Sequence, residues 1–174
     1  KKMIYSIKIN IDLKKKICND LSTKSSLKAL LHNVYNQQPL IIKNLVPPKQ
    51  ILSNCWFNTF YMVFFFSDKG RKFFKHFREL MVMGKTNKNK LIEPSLRASF
   101  ILLNYSIEAS YNYFGNSEKI AKKLDTNYLI NFIFNSIHKN EKNSINYIKN
   151  VNDAGNPLRY YKDIIDYLDS NELN

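Results

Sequence analysis

Residues 53–66 read SNCWFNTFYMVFFF, and this stretch decides the fold. After the polar Ser53 and Asn54, almost every position is aromatic or aliphatic, which predicts a buried helix from about Ser53 to Phe66. The uninterrupted apolar part begins only at Phe60, so it is far shorter than the roughly 20 residues of a membrane-spanning helix. We therefore expect a soluble protein whose core is built around this helix.

Segments on both sides of this helix also show helical patterns. Ser67 and Asp68 can cap a helix from Lys69 to about Met83, and Gly84 would end it. The other predicted helices have start signals at Ser25 or Ser26, Pro94, Ser117, Asp125 and Asn156-Pro157. The helix from Pro94 would stop at Gly115. Extended segments are predicted only near the start, at Met3–Ile11 and at Pro39–Val46. The sequence therefore predicts a mainly α fold with about seven helices and few short strands.

The length of the chain suits one domain. At 174 residues it can bury a sizeable core, but it is too short for two domains to be expected. We therefore expect residues 1–174 to form a single domain. Within it, residues 1–46 are predicted to be an N-terminal strand-and-helix extension, and residues 47–174 a helical lobe that carries the cysteine at position 55.

The net charge of +13 suggests an anionic partner, such as nucleic acid or a membrane face. However, the chain has 23 Lys and only 4 Arg, beside 23 Asn, which are residues of AT-rich codons. Specific recognition of phosphates and bases also favours Arg over Lys. The charge alone therefore assigns no function, and nucleic acid is only one of the partners that it allows.

Cys55 lies in the first turn of the predicted apolar helix. The unpaired N–H groups and the positive end of the helix dipole favour a thiolate there, and the same groups can stabilise an oxyanion. The alternative is a buried structural cysteine, because free Cys is among the most buried residue types. Cys18 lies in a different context, so we expect both thiols to be reduced and the protein to be intracellular.

The run Asn54–Thr59, NCWFNT, resembles the cysteine box of papain-fold peptidases. It shares Cys-Trp with the papain type and Cys-aromatic-x-Asn-Thr with the ubiquitin-specific protease type. Together with residues 67–74 (SDKGRKFF) and 156–161 (NPLRYY), it resembles cysteine peptidases of large nucleocytoplasmic DNA viruses. The resemblance implies the helical lobe of a papain-like α+β fold with Cys55 as the nucleophile. It also implies a polyprotein or a ubiquitin-like conjugate as substrate, and a location in the host cytoplasm or the virion.

A cysteine peptidase also needs an imidazole base and an oxyanion-hole donor. Gln50 is the candidate for the oxyanion hole, although it stands one residue closer to the cysteine than in the papain type. The histidines are His32, His76 and His138, and His138 is the candidate base because it follows the cysteine in the chain. The β-rich segment that carries the histidine in this family has no counterpart here. The sequence therefore predicts the helical half of a peptidase, with its base either at His138 or in another segment or polypeptide.

A second interpretation is a non-enzymatic virion or scaffold protein. Such a protein would keep a degenerate peptidase lobe for packing and use its basic surface to meet capsid proteins or nucleic acid. No glycine-rich phosphate loop, paired-cysteine zinc pattern or His-x-x-x-His pair is present in the sequence. We therefore expect neither a cofactor nor a metal.

Overall fold

In a computed structural model, helices of the chain surround the apolar segment that begins at Cys55. The structure describes residues 23–113, 119, 125–138 and 155–169, together with the backbone of residues 8–12 and 15–18. The helices of that part of the chain are α1 (Lys24–Tyr35), α2 (Cys55–Phe66), α3 (Asp68–Met83), α4 (Pro94–Tyr111), α5 (Thr126–Ile137) and α6 (Pro157–Asp169). Two antiparallel strands precede them, β1 (Lys8–Asp12) and β2 (Lys15–Cys18), with Ile9 opposite Ile17. The mainly α prediction is therefore confirmed.

Several predicted helix ends are confirmed by their caps. The Ser67 side chain accepts a hydrogen bond from the Gly70 N–H at 3.0 Å and starts α3. Gly84 ends that helix with φ 73°, in the left-handed region that a residue without Cβ adopts at no cost. Asp125 accepts from the Asn127 N–H and starts α5. Pro157 is the first residue of α6, where its missing N–H leaves no hydrogen bond unmade.

Other predicted boundaries need correction. Thr23, not Ser25 or Ser26, caps α1, because its side chain accepts from the Ser26 N–H. The segment predicted as extended from Pro39 to Val46 contains a short 3-10 helix at Ile42–Asn44. Helix α4 ends at Tyr111, since Asn112 takes a left-handed conformation with φ 46°. The predicted strand residues 3–7, the cap Ser117 and the stop Gly115 lie outside the described residues.

Helix α2 lies at the centre of the main hydrophobic core. Its side chains Phe57, Tyr61 and Phe65 are buried among residues of α3, α4, α5 and α6. Helix α3 comes closest to it at Gly70, whose Cα approaches the backbone of Val63 and Phe64 so closely that a Cβ would collide with it. The uniformly apolar sequence of α2 therefore reflects burial by several helices at once.

A layer of polar side chains is buried between α3 and α4. The Arg78 guanidinium is 1% exposed and donates to Asn104 Oδ1 at 2.8 Å and to Glu108 Oε1 at 2.6 Å. Arg71, also buried, lies over the Tyr111 ring with its guanidinium carbon 5.1 Å from the ring centroid. Burial by itself would lower the pKa of Arg78, but its neighbours, among them Tyr111 and Glu108, raise that pKa above its usual value. The buried cation therefore stays charged.

The predicted N-terminal extension is tied to the helices that follow it. Leu30 of α1 packs in a second hydrophobic cluster with Val82, Ile101 and Tyr105. The Val46 N–H donates to the Ser110 carbonyl at 2.9 Å. Among the helices that the structure describes, none is both long enough and apolar enough to cross a bilayer.

Candidate functional site

Cys55 is the first residue of α2, and its side chain is exposed. The side chains that follow Cys55 point toward the core. Trp56 is half-buried, and Phe57 and Asn58 are buried. The Cys55 thiol therefore lies at the surface, while the other side chains of the first turn of α2 pack into the core.

The turn before the thiol is held by the side chain of Asn54, which is 1% exposed. Its Oδ1 accepts from the Ile51 N–H at 3.0 Å, and its Nδ2 donates to Thr126 Oγ1 at 2.9 Å. Thr126 in turn donates to Asn58 Oδ1 at 2.9 Å. This buried network joins the start of α2 to the start of α5. Within the turn, Leu52 has φ 53°, a left-handed conformation that costs a residue with a Cβ about 1–2 kcal/mol.

Because Asn54 uses its side chain in this network, it makes no side-chain hydrogen bond to cap α2. The first-turn N–H groups of a helix have no partner within the helix. No acidic residue stands in the first turn of α2, so no carboxylate there offsets the positive end of the dipole. The first turn of α2 therefore offers backbone N–H donors beside the Cys55 thiol, where a bound oxyanion could accept hydrogen bonds.

Aromatic contacts join the cysteine box to residues 155–161. The Trp56 ring meets the Tyr160 ring edge-on at 5.5 Å, and the Phe57 ring stacks on the Tyr161 ring at 5.5 Å. A Cβ on Gly155 would collide with the Trp56 indole, so only glycine fits there without a shift. The structure thus packs residues 155–161 against the start of α2.

Gln50, the predicted oxyanion-hole residue, lies just before the turn that precedes α2. Its side-chain amide is exposed and donates to the Leu52 carbonyl at 2.8 Å, within the turn itself. The first-turn N–H groups of α2, among them that of Cys55, belong to the same helix end as the sulfur.

His138 lies at the opposite end of α5 from the residues around Cys55. Its Nε2 is 2.9 Å from Asp163 Oδ2 of α6, and its ring packs 4.5 Å from the Phe134 ring. Thr126, which contacts Asn54, begins α5, and the rise along a helix places His138 about 18 Å further along the axis. The structure therefore brings His138 together with Asp163 and places Cys55 beside Asn54 and Thr126.

The two other histidines are exposed on α1 and α3. His32 Nδ1 is 3.2 Å from Asn36 Nδ2, and the His76 ring lies 5.9 Å from the Phe77 ring. The chain contains three histidines in all, and each lies on its own helix or helix end. No hydrogen bond joins an imidazole of the described residues to Cys55.

Sequence reasoning missed the network of Asn54, Asn58 and Thr126. The sequence does contain a signal for this network. Asn54 and Asn58 are four residues apart, which places their amides on one face at the start of a mostly apolar helix. Buried amides need polar partners, which predicts that a neighbouring helix supplies a hydroxyl or an amide.

The surface next to this network contains an open depression of about 460 Å³, lined by Val46, Pro47, Pro48 and Lys49. The Lys49 carbonyl also accepts from the side-chain amides of Asn54 and Asn58. Among the described residues, no three His, Cys, Asp or Glu side chains meet in an arrangement that could hold a metal ion.

Comparison of the chain with protein-family models, with curated proteins and with solved structures found no match.

Proposed function

We propose that Cys55 is the nucleophile of a papain-like thiol peptidase lobe that cleaves peptide or isopeptide bonds. The observation that carries the proposal is an exposed thiol on the first residue of α2, at a helix end that the preceding Asn54 does not cap. A buried structural cysteine would lie among the aromatic side chains of the same helix.

In this reaction an imidazole would take the proton of the Cys55 thiol and become an imidazolium. The sulfur would attack the carbonyl carbon of the substrate, forming a C–S bond and placing negative charge on the carbonyl oxygen. The first-turn N–H groups of α2 would stabilise that oxyanion. An imidazolium would then give its proton to the leaving amine as the C–N bond breaks. Water would hydrolyse the resulting thioester and release the thiol.

The proposal assigns the imidazole to a segment or polypeptide beyond these 174 residues. His138 is already paired with Asp163 at the far end of α5, while His32 and His76 lie on α1 and α3. Dipole stabilisation at an exposed helix end supplies only about 0.3–1 kcal/mol, so it does not replace an imidazolium partner.

Chemical rescue tests this division of roles. The Cys18→Ser protein leaves Cys55 as its one thiol, and hydrolysis of p-nitrophenyl acetate is measured with and without added imidazole. We expect imidazole to produce turnover beyond that of the Cys55→Ser control, because it can act as the missing base. His138→Ala should leave this turnover unchanged. If Cys55 is alkylated by iodoacetamide only after unfolding, or if rescued turnover does not depend on Cys55, the proposal is wrong.

A second candidate function is a non-enzymatic virion or scaffold protein. The observation that favours it is the engagement of the two other predicted site residues elsewhere, His138 with Asp163 and Gln50 with the Leu52 carbonyl. This function predicts an accessible Cys55 thiol with no imidazole-dependent turnover. The same rescue experiment therefore separates the two candidates.

A further inference from the structure

The loop between α3 and α4 forms a short hairpin that carries three lysines. It consists of residues 85–91 (KTNKNKL) and is here named the lysine hairpin. Its first and last residues pair in an antiparallel bridge, and the Thr86 N–H donates to the Lys90 carbonyl at 2.9 Å. Asn89 closes the turn in the left-handed region, with φ 61°, and its N–H donates to the Thr86 carbonyl at 2.9 Å. These hydrogen bonds define the conformation of the hairpin backbone.

The hairpin is also fixed to the rest of the fold. The Asn87 N–H donates to the Leu168 carbonyl at 2.8 Å, and the Asn87 side chain donates to Asp169 Oδ1 at 3.0 Å, both at the end of α6. At the base of the hairpin, the Ile92 N–H donates to the Gly84 carbonyl at 3.0 Å. The hairpin therefore presents its lysines at one fixed place on the surface.

Four cations lie together at the hairpin. Lys85, Lys88 and Lys90 are exposed, and none of them forms an ion pair or a side-chain hydrogen bond with a described residue. The fourth is Arg97 of α4, whose side chain lies so close to Gly84 that a Cβ there would collide with it. Gly84 directly precedes Lys85, so Arg97 lies at the base of the hairpin.

The acids next to the hairpin are fewer, and each already accepts a hydrogen bond. Glu93 accepts from a first-turn N–H of α4, and Asp169 accepts from the hairpin itself. The nearest acid of α3 is Glu79, which lies one helical turn from Lys75. The four cations therefore outnumber the two acids beside them, and Glu172, which follows outside the described residues, would still leave them in excess.

Two polar groups at the base of the hairpin lack a hydrogen-bond partner. Arg97 Nε and the Thr86 hydroxyl are both buried, and neither makes a hydrogen bond with a described residue. Buried polar groups in folded proteins nearly always have a partner, so this pair needs an explanation. Both groups can donate a hydrogen bond, and the Arg97 side chain is only half-buried, so a ligand at the surface can reach it. An anionic acceptor fits this site best, because it would also neutralise the surrounding cations.

We propose that the lysine hairpin, together with Arg97, binds the phosphate backbone of double-stranded nucleic acid without reading its sequence. Lysine binds phosphate as a point charge, whereas the guanidinium of Arg97 can donate hydrogen bonds to a phosphate oxygen. A duplex carries one negative charge per about 1.7 Å of its axis, so lysines that lie close together can each meet a phosphate. The proposal goes beyond the thiol chemistry, because Cys55 lies on α2 and takes no part in it.

The composition of the hairpin favours a duplex backbone over other anions. Proteins that bind single strands stack the bases on aromatic side chains, and residues 84–97 contain no aromatic residue. Base recognition in the grooves favours arginine, whereas three of the four cations here are lysines. A segment that enters a membrane surface carries apolar side chains on the buried side, but the tip of this hairpin is Asn87-Lys88-Asn89. The hairpin therefore suits a polymer of phosphates that is contacted from outside.

Fluorescence anisotropy with the full chain tests the proposal. The probe is a labelled DNA duplex of about 20 base pairs and mixed sequence, titrated at about 50 and 200 mM KCl. The hairpin variant replaces all three of its lysines and is Lys85→Gln/Lys88→Gln/Lys90→Gln. The matched control replaces three exposed lysines elsewhere and is Lys24→Gln/Lys28→Gln/Lys43→Gln.

We expect saturable binding that the hairpin variant weakens by about tenfold or more at the lower salt concentration. The hairpin variant should also reduce the slope of log affinity against log salt concentration by about 2–3, since each lost phosphate contact removes about 0.9. The control, which has the same net charge, should stay within about twofold of the parent. Arg97→Gln should weaken binding by about threefold or more, and circular dichroism verifies that each variant is folded.

Equal losses in the hairpin variant and the control would overturn the proposal, as would the absence of saturable binding. Hairpin-dependent binding of a single-stranded oligothymidine of the same length, or of phosphatidylserine vesicles, in preference to the duplex would also overturn it. Inorganic phosphate is the last competitor. If it displaces the duplex much better than chloride does at equal ionic strength, free phosphate is the ligand and the proposal is wrong.

Discussion

Thr126 links the two helix ends around the candidate nucleophile, and it does so through one hydroxyl. That hydroxyl accepts from Asn54 and donates to Asn58, so both of its hydrogen-bonding roles are used. A valine has nearly the same shape but can replace neither bond. The positions of Asn54 and of the turn before Cys55 therefore depend on this side chain.

We expect Thr126→Val to lower the free energy of unfolding by about 1–3 kcal/mol, because it leaves the buried Asn58 Oδ1 without its donor and takes from Asn54 Nδ2 one of its two acceptors. Urea unfolding measures this change. Thr59→Val is the matched control, since its hydroxyl donates to the Cys55 carbonyl on an exposed face, and its effect should stay below about 1 kcal/mol. Equal losses in the two variants would contradict the role assigned to Thr126.

The position of Cys55 could be predicted from the sequence, whereas its partners could not. Polar residues before an apolar run mark a helix start, and this local signal places the thiol in the first turn. The partner of an imidazole depends on which helices pack together, and that is a tertiary property. His138 follows the cysteine in the chain, but α5 runs away from the cysteine and carries His138 to Asp163.

At the level of the elements, the contact of α2 with α3 depends on Gly70. In an exposed helix, Gly→Ala is stabilising by about 1 kcal/mol, because alanine is the better helix former. At Gly70 the sign should reverse, because a Cβ there would collide with the Val63 carbonyl and the Phe64 Cα, which are backbone atoms.

We therefore expect Gly70→Ala to destabilise the protein by about 1–3 kcal/mol, the usual cost of overpacking. Thermal and urea unfolding measure the change. Lys72→Ala, an exposed position on the same helix, should change the stability by less than about 0.5 kcal/mol. A Gly70→Ala protein as stable as the parent would show that α2 and α3 are further apart than described.

Helices α3 and α4 are joined by the buried pair of Arg78 and Glu108. Glu108→Leu should cost about 3 kcal/mol or more, since it leaves a buried guanidinium without its carboxylate. The double variant Arg78→Met/Glu108→Leu should recover much of that loss, because it removes the stranded charge. Asn33→Ala, which removes only a 3.3 Å hydrogen bond to the other Glu108 oxygen, is the control. If the double variant is less stable than Glu108→Leu, the unpaired charge is not the cause.

Most helices could be predicted because their end signals are local. Ser67, Gly84, Asp125 and Pro157 each specify a helix end through one cap or one backbone conformation. The cap of α1 was misassigned because Thr23, Ser25 and Ser26 are chemically equivalent candidates in sequence. The polar layer was not predicted because nothing in the sequence tells a buried arginine from a surface one. Arg78 follows surface positions such as Lys75 and His76 on α3.

At the scale of the whole molecule, buried tyrosines connect the helices and set a limit on alkaline stability. Tyr61 hydrogen-bonds with Ser106 of α4, Tyr111 donates to the Phe65 carbonyl of α2 at 2.6 Å, and Tyr161 stacks on Phe57. Burial raises the pKa of the Tyr61, Tyr111 and Tyr161 hydroxyls above the usual value of 10.0. Each hydroxyl therefore stays protonated in the folded protein at a pH where it ionises in the unfolded chain.

This difference should make the protein unfold in alkali. Below pH 10 the tyrosines are protonated in both states, and the stability from their burial is fully present. Above pH 10 the unfolded chain releases these protons before the folded protein does, so each group lowers the stability by up to about 1.4 kcal/mol per pH unit until its own raised pKa is reached. Three such groups can together remove a large part of the stability of a typical domain, about 5–15 kcal/mol. The tyrosinate absorbance of Tyr61, Tyr111 and Tyr161 should therefore appear only as the helical circular dichroism is lost. Tyr161→Phe should make the stability fall less steeply with pH, and Tyr128→Phe should not. Ionisation of all tyrosines near pH 10 with the helices intact would contradict the burial of these three side chains.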